Sequence, residues 1–255
     1  MVVPPLVKAH WGSLWLVEGP ALPAVGTISV VWLDLDLSSD VVDELRLVLS
    51  SDERRRVARY SSPLQQRRAT VRLARRRQTL ADMFAIAPDE VIMRSNAGGR
   101  PFALSPAGAR LGLSSSHCGG LGLVAVARGQ QVGVDVQAAS ELPESSRFAS
   151  WVATSFESRQ IAALPRSKQS DACLRLWTRK EAYLKATGEG IGAGLQHVQV
   201  PLGCEAWGQW FRPLASGPRW LLYRLACPHA DLEAALVASG QGGPEERPAI
   251  TITRR

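Results

Sequence analysis

Residues 132–137 read Val-Gly-Val-Asp-Val-Gln, and this short stretch predicts both a strand and a candidate site. The valines alternate with the other three residues, which is the period of a strand with one apolar face. Asp135 and Gln137 would then project from the other face, about 7 Å apart, close enough to converge on one hydrated cation. Taken alone, an acidic residue that merely closes a strand is the simpler interpretation.

An earlier stretch, residues 30–36 (Val-Val-Trp-Leu-Asp-Leu-Asp), has the same character and is also followed by a helical pattern. The repeated order of strands and helices predicts an α+β fold made of two similar lobes that join near residues 128–131. We expect an N-terminal lobe with arginine-rich helices over 1–128, a C-terminal lobe over 129–240 and a flexible tail over 241–255.

The composition excludes several classes of protein. With 255 residues, 45% of them hydrophobic, the chain can bury one large core or two smaller ones. The longest strongly apolar stretch, residues 121–127, is far short of the roughly 20 residues that span a bilayer. The N-terminus lacks the pattern of a secretory signal and the four cysteines are dispersed, so we expect a cytoplasmic protein with no membrane contact.

Residues 172–187 carry apolar side chains at helical spacing, with Lys180, Glu181 and Lys185 among them. Glu181 precedes Lys185 by four positions, so an exposed ion pair on a helix explains both residues. The chain, however, has 26 arginines and only four lysines, and two of those lysines stand here. Because lysine and arginine are not interchangeable at phosphates, this clustering favours a phosphate site.

Basic charge is concentrated between Arg54 and Arg77, which include ten arginines and no acidic residue. Such a patch predicts an acidic partner, and a basic nucleic-acid-binding protein is the alternative function. Nucleic acid is the less favoured partner because only Tyr60 is interleaved for base stacking. A serine hydrolase using Ser116, His117 and Asp135 is a third interpretation, but the chain has no G-x-S-x-G motif.

Two motifs together resemble a known family. Gly133-Val134-Asp135-Val136, followed some 40 residues later by Trp177-Thr178-Arg179-Lys180-Glu181-Ala182-Tyr183-Leu184-Lys185, is similar to the paired signature of Sfp-type 4'-phosphopantetheinyl transferases. Three weaker likenesses agree with it. Gly99-Arg100-Pro101 resembles the family's Gly-Lys-Pro turn, residues 114–117 its Ser-His loop and residues 49–60 the start of its basic helix.

The resemblance implies a pseudo-twofold pair of α+β lobes with coenzyme A and Mg²⁺ in the cleft between them. It implies that Asp135 and Glu181 bind the metal. Gln137 stands where the family commonly has an acidic residue, and its amide oxygen can coordinate Mg²⁺ or hold a coordinated water. Glu181 is then the general base, acting directly or through water, and Lys185 is the second catalytic residue.

For coenzyme A, the resemblance implies that Arg100, Ser116 and His117 contact the 3'-phosphate end. Arg56 and Arg67 are further candidates at that end, and Lys180 and Lys185 are expected to face the pyrophosphate. The implied reaction transfers 4'-phosphopantetheine from coenzyme A to a serine of an apo acyl or peptidyl carrier protein and releases 3',5'-ADP. We expect a monomer that serves secondary metabolism.

Overall fold

The computed structural model describes residues 22–141, 151–190, 194–203, 208–213, 217–240 and 247–255. Its first sheet has six strands in the order β10-β1-β5-β4-β3-β2. All neighbours in it are antiparallel except β1 and β10, which run parallel. These strands are β1 (Thr27–Asp34), β2 (Ile92–Ser95), β3 (Pro101–Leu104), β4 (Arg110–Cys118), β5 (Leu121–Arg128) and β10 (Ala249–Arg254).

The second sheet has four antiparallel strands in the order β6-β9-β8-β7. Its members are β6 (Val132–Ala138), β7 (Gln209–Phe211), β8 (Trp220–Leu225) and β9 (Leu232–Ser239). The chain crosses from the first sheet to the second between Arg128 and Val132. We propose this crossing as the boundary of the two predicted lobes.

Helices cover the outer face of each sheet. The described helices are α1 (Ser39–Leu47), α2 (Ser51–Val57), α3 (Pro63–Phe84), α4 (Ser155–Ala162) and α5 (Arg166–Thr187). Pro63 opens α3, where its fixed φ and missing N–H cost nothing. Capping boxes start α2 and α4, with Ser50 paired to Glu53 and Thr154 paired to Glu157.

Three apolar cores fix the order of the layers. Leu33 and Val124 of the first sheet pack with Leu80 and other residues of α3. Val30 of the same sheet, from the opposite face of β1, packs with Val134 of the second sheet. The third core lies between α5 and the outer face of the second sheet. The layers therefore run helix, sheet, sheet, helix, and the predicted α+β class is confirmed.

The predicted flexible tail is wrong for its last residues. Ala249–Arg254 forms β10, which pairs with β1 along six positions. Ile250 and Ile252 pack against the core between the two sheets, which gives this alternating segment a buried face. Residues 241–246, the first part of the predicted tail, lie outside the described residues. Of the helices in the described part of the chain, none is long and apolar enough to cross a membrane.

Candidate active site

Gly133 brings the two sequence motifs together. A Cβ atom at this position would lie 2.0 Å from the backbone oxygen of Ala182 and 2.4 Å from the backbone nitrogen of Ala186. Helix α5 therefore passes directly over β6, at a distance that only glycine permits. The close approach places Glu181 and Lys185, which flank the contact on the helix, beside Asp135 on the strand.

Asp135 is the centre of the polar contacts. It is only 4% exposed. Its Oδ1 accepts hydrogen bonds from Lys185 Nζ at 2.7 Å and from Ser116 Oγ at 2.6 Å. Lys185 Nζ also donates to Ser116 Oγ at 3.0 Å. Burial raises the pKa of Asp135, while Lys185 and Ser116 act in the opposite direction.

Glu181 is the second buried carboxylate, 8% exposed. Burial and then the charge of Asp135 raise its pKa to about 6, against the effect of Lys185. Among the described residues, neither Glu181 Oε1 nor Asp135 Oδ2 has a hydrogen-bond partner, although both atoms are buried. Such atoms are costly unless a ligand satisfies them, and carboxylate oxygens are the donors that Mg²⁺ prefers. The pair therefore fits a divalent cation.

The third predicted metal residue, Gln137, occupies the same face of β6 as Asp135. It is half-buried, and its Nε2 donates to Glu141 Oε2 at 2.8 Å. Within the described part of the chain, no three His, Cys, Asp or Glu side chains lie close enough to hold a metal ion. The described carboxylates at the centre of the site are thus two, Asp135 and Glu181.

An open cleft of about 260 Å³ adjoins this pair. It lies between the turn before β3, strand β4 and the C-terminal end of α5. Arg100, Ser115, Glu181 and Lys185 are among the residues that line it. Arg100 Nη1 also donates to the backbone oxygen of Ala186, so its guanidinium binds the end of α5 while it borders the cleft. A substrate in this cleft would touch both lobes.

Ser116 and His117 do not act together. As neighbours on β4 they point to opposite faces of the strand, and the predicted loop at this position is a strand. Ser116 is buried and bonded to Asp135. His117 reaches solvent on the α3 side, but loss of hydration and then the cations Arg72 and Lys185 lower its pKa to about 4. This arrangement also rules out the serine hydrolase interpretation, since a nucleophile and its base must touch.

The prediction that Lys180 faces the pyrophosphate is wrong. Lys180 is fully buried, and its Nζ donates to Glu157 Oε2 at 2.6 Å, Val152 O at 2.7 Å and Leu195 O at 2.9 Å. The three donors of the ammonium are thereby used. The reason is helix phase: Lys180 lies on the side of α5 that faces α4, whereas Lys185 lies on the side that faces the cleft.

Two arginine candidates lie apart from the cleft-lining residues. Arg56 is exposed on α2. Arg67 donates to Ser39 Oγ at 2.8 Å and to Leu37 O at 2.9 Å, which ties α3 to the start of α1. Neither borders the cleft next to Glu181. The structure instead brings Arg72 close to His117, a neighbour that no local sequence pattern indicated because 45 positions separate them.

The arginine-rich segment is not one continuous basic surface. Arg76 and Arg77 are buried and bind Glu53, with Arg77 Nε at 2.5 Å from Glu53 Oε2. Arg68 forms a two-point contact with Asp36 at 2.6 and 2.7 Å. Much of the local charge is therefore used inside the N-terminal lobe. The exposed arginines of the segment are those of α2 and Arg59 just after it.

Comparisons with known proteins assign the chain to a family. Residues 131–211 match the family model described as the 4'-phosphopantetheinyl transferase superfamily. The chain is 30% identical over 231 residues to the 4'-phosphopantetheinyl transferase HetI of Nostoc sp., covering 89% of this chain and 94% of that protein. It is 25% identical over 163 residues to the 4'-phosphopantetheinyl transferase psf-1 of Bacillus pumilus, covering 63% and 67%.

A third relative, a phosphopantetheinyl transferase of Thraustochytrium sp., is 26% identical over 170 residues, covering 62% of this chain and 59% of that protein. The HetI alignment spans nearly all of both chains at an identity that shows common descent. The chain belongs to the 4'-phosphopantetheinyl transferase superfamily. The family predicted from the paired motifs is confirmed, and the nucleic-acid alternative has no support.

Proposed function

We propose that this chain transfers 4'-phosphopantetheine from coenzyme A to a serine of an apo carrier protein, with Asp135 and Glu181 holding Mg²⁺. Membership of the transferase family supports the reaction type. The observation that carries the metal assignment is the pair of buried carboxylate oxygens, Asp135 Oδ2 and Glu181 Oε1, that have no described hydrogen-bond partner. Gln137 lies beside them with a neutral amide oxygen.

The chemistry explains these residue types. A bound Mg²⁺ would offset negative charge on the pyrophosphate oxygens, and Lys185 adds a positive charge at the wall of the cleft. The side chain of Lys185 is 31% exposed, so its ammonium can reach a ligand in the cleft while it stays near Asp135. We assign Lys185 to the pyrophosphate and leave Lys180 out of the site.

Glu181 is suited to accept the proton of the attacking serine. Its pKa is about 6 without a cation, and a bound Mg²⁺ would lower it, so the carboxylate is ionised at neutral pH and able to accept a proton. The serine oxygen forms a bond to the phosphorus that carries the pantetheine arm, and the bond from this phosphorus to 3',5'-ADP breaks. The hydroxyl proton passes to Glu181, directly or through water. The products are the modified carrier and 3',5'-ADP.

We assign the 3'-phosphate end of coenzyme A to Arg100 and His117, with Arg72 as an added contact. Arg100 lines the cleft, and Arg72 supplies a fixed positive charge close to His117. The low pKa of His117 makes it a neutral hydrogen-bond donor in the free protein at pH 7. A phosphate dianion between these groups would raise that pKa. Ser116 orients Asp135 and Lys185 and is assigned to the metal side.

Mass spectrometry of carrier proteins tests this function. Apo acyl and peptidyl carriers are incubated with the chain, coenzyme A and Mg²⁺, and their intact masses and the release of 3',5'-ADP are followed. We expect one arm per carrier serine and one 3',5'-ADP per arm, with transfer abolished by excess EDTA. Asp43→Asn, on exposed α1, is the control for Asp135→Asn. Undiminished transfer in EDTA would refute the metal assignment.

A further inference from the structure

The Gln137 amide has a fixed orientation. Its Nε2 donates to Glu141 Oε2 at 2.8 Å. A carboxylate can only accept, so the nitrogen of the amide faces Glu141 and the oxygen faces away from it. Glu141 ends the short 3-10 helix Ala139–Glu141 that follows β6, beyond the end of the strand. The Gln137 side chain itself projects from the face of β6 that also carries Asp135.

Glu141 is itself held in place next to the end of β4. It lies close to the Cys118 thiol, whose pKa is raised to about 12, by burial first and then by the charge of Glu141. Its charge also acts on His117, where it opposes the neighbouring cations. Glu141 therefore stands at a junction of both lobes, in contact with β4 and with Gln137 of β6.

A second carboxylate competes for the same amide. Glu233 on β9 pairs directly with Gln137 in the sheet, so the two side chains lie on one face with their Cβ atoms about 5 Å apart. Glu233 is buried, and its Oε2 is occupied by Arg224 Nε and Nη2 at 3.1 and 2.9 Å. Without Glu141, the amide nitrogen of Gln137 could turn to Glu233 and the oxygen would lose its direction.

We infer that Glu141 is a positioning residue, which holds the Gln137 amide so that its oxygen faces the Asp135–Glu181 pair. The inference rests on the proposed function, because it requires a cation between those two carboxylates. It assigns to an exposed residue outside both sequence motifs a role in metal binding. The independent observation that points to a ligand is the pair of buried oxygens on Asp135 and Glu181, both more than nine-tenths buried.

The test measures metal binding and not turnover. Mn²⁺ is titrated into the full chain with coenzyme A present and no carrier, and free Mn²⁺ is followed by electron paramagnetic resonance. Asp135→Asn, which lacks a metal-binding carboxylate, measures the Mn²⁺ that coenzyme A binds by itself. Residues that orient a metal ligand typically contribute about 10- to 100-fold in affinity. We expect Glu141→Ala and Gln137→Ala each to weaken Mn²⁺ binding about tenfold.

A double variant separates positioning from simple charge. If Glu141 acts through the amide, Gln137→Ala with Glu141→Ala binds Mn²⁺ no more weakly than Gln137→Ala alone. The exchange variant, Gln137→Glu with Glu141→Gln, restores a hydrogen bond with reversed partners and should bind at least as tightly as the wild type. Glu44→Gln removes an exposed carboxylate on α1 and should leave binding unchanged.

The failures are distinguishable. A wild type that binds Mn²⁺ no better than Asp135→Asn overturns the metal site itself, and this inference with it. A wild type that binds well, together with Glu141→Ala within twofold of it, overturns only the role of Glu141. The role of Glu141 is also overturned if the double variant loses the product of the two single reductions in Mn²⁺ affinity. That result would mean that Glu141 acts on the metal through its charge and not through the Gln137 amide.

Discussion

Lys180 and Lys185, the two lysines in the C-terminal half of α5, have the same side chain and opposite roles. Lys180 is fully buried, where Glu157 and two backbone oxygens bind its ammonium. Lys185 is 31% exposed at the cleft, where it binds Asp135 and Ser116. Lys185 lies five positions after Lys180, which places it about 140° further around the helix. One segment of sequence thus supplies both a buried structural ion pair, Lys180–Glu157, and an ion pair in the candidate active site, Lys185–Asp135.

Two lysines of one motif can therefore have different roles. Lys180 joins α5 to α4, because the carboxylate of Glu157 also accepts from Thr154 N at the start of α4 at 2.7 Å and from Val200 N at 2.8 Å. Removal of this ammonium would leave a buried carboxylate without its charge partner. In the Lys185–Asp135 pair, solvent reaches the lysine but not the carboxylate. The two lysines should therefore separate stability from catalysis when each is replaced.

Lys180→Met should give the largest effect on folding. Loss of one partner of a buried ion pair typically costs about 3–5 kcal/mol, because the remaining charge stays buried. Urea denaturation should show a drop of that size in the free energy of unfolding. The double variant Lys180→Met with Glu157→Gln should recover part of the loss. Unchanged stability in Lys180→Met would show that this pair does not hold α4 and α5 together.

Lys185→Met should act mainly on the reaction. The lysine end of the Lys185–Asp135 pair is 31% exposed but Asp135 is buried, so we expect a loss in the free energy of unfolding that is smaller than that of Lys180→Met. Loss of a charge that stabilises a transition state typically lowers turnover by about 100- to 1,000-fold. Steady-state transfer to an apo carrier measures this. Turnover near that of the wild type would place Lys185 outside the catalytic residues.

Glu181→Gln should stabilise the protein while it abolishes function. The folded-state pKa of Glu181, about 6, is above its ordinary value of 4.5, so the native state binds this proton more tightly than the unfolded state. The stabilising contribution is complete below pH 4.5 and is lost as pH rises through 6. The ionised wild type at pH 7.5 therefore has a cost of about 2 kcal/mol that the amide lacks.

Urea denaturation without divalent cations measures this gain. The advantage of Glu181→Gln should be about 2 kcal/mol at pH 7.5 and less than half of that at pH 5. Asp43→Asn on exposed α1 is the control and should show no such pH-dependent gain. A Glu181→Gln variant that is less stable than the wild type at pH 7.5 would contradict the claim that the buried Glu181 carboxylate destabilises the fold when it is ionised.

The exposed arginines of α2 should give the smallest effect. We expect Arg54→Gln with Arg56→Gln to lower kcat/KM for an acidic carrier several-fold at low salt, and the difference should shrink as salt screens the charges. Arg94→Gln with Arg254→Gln removes two exposed arginines elsewhere and is the matched control. Equal losses in the two variants would show that net charge alone, and not the α2 surface, attracts the carrier.

Periodicity made much of the fold predictable. The strand over residues 132–137 and the helix that contains Glu181 were both visible as local patterns. The predicted tail failed because β10 gains its stability from a partner strand at the other end of the chain. No local pattern reports a pairing over such a separation.

Part of the candidate site was also predictable from the sequence. The family resemblance of the paired motifs singled out Asp135 and Glu181, and the structure brings them together. Lys180 was assigned wrongly because its partner Glu157 lies 23 positions away, which helix periodicity does not reveal. The close contact at Gly133 was also hidden, since a glycine in a strand does not say which element passes over it.

The most direct test of this account is the rate of transfer to an apo carrier as a function of Mg²⁺ for the wild type and for Asp135→Asn. Lys180→Met is assayed beside them at equal concentrations of folded protein. We predict a wild-type rate that saturates with Mg²⁺ and a loss of about 100-fold or more in folded Asp135→Asn, with Lys180→Met near the wild type. An Asp135→Asn enzyme that transfers as fast as the wild type would contradict it.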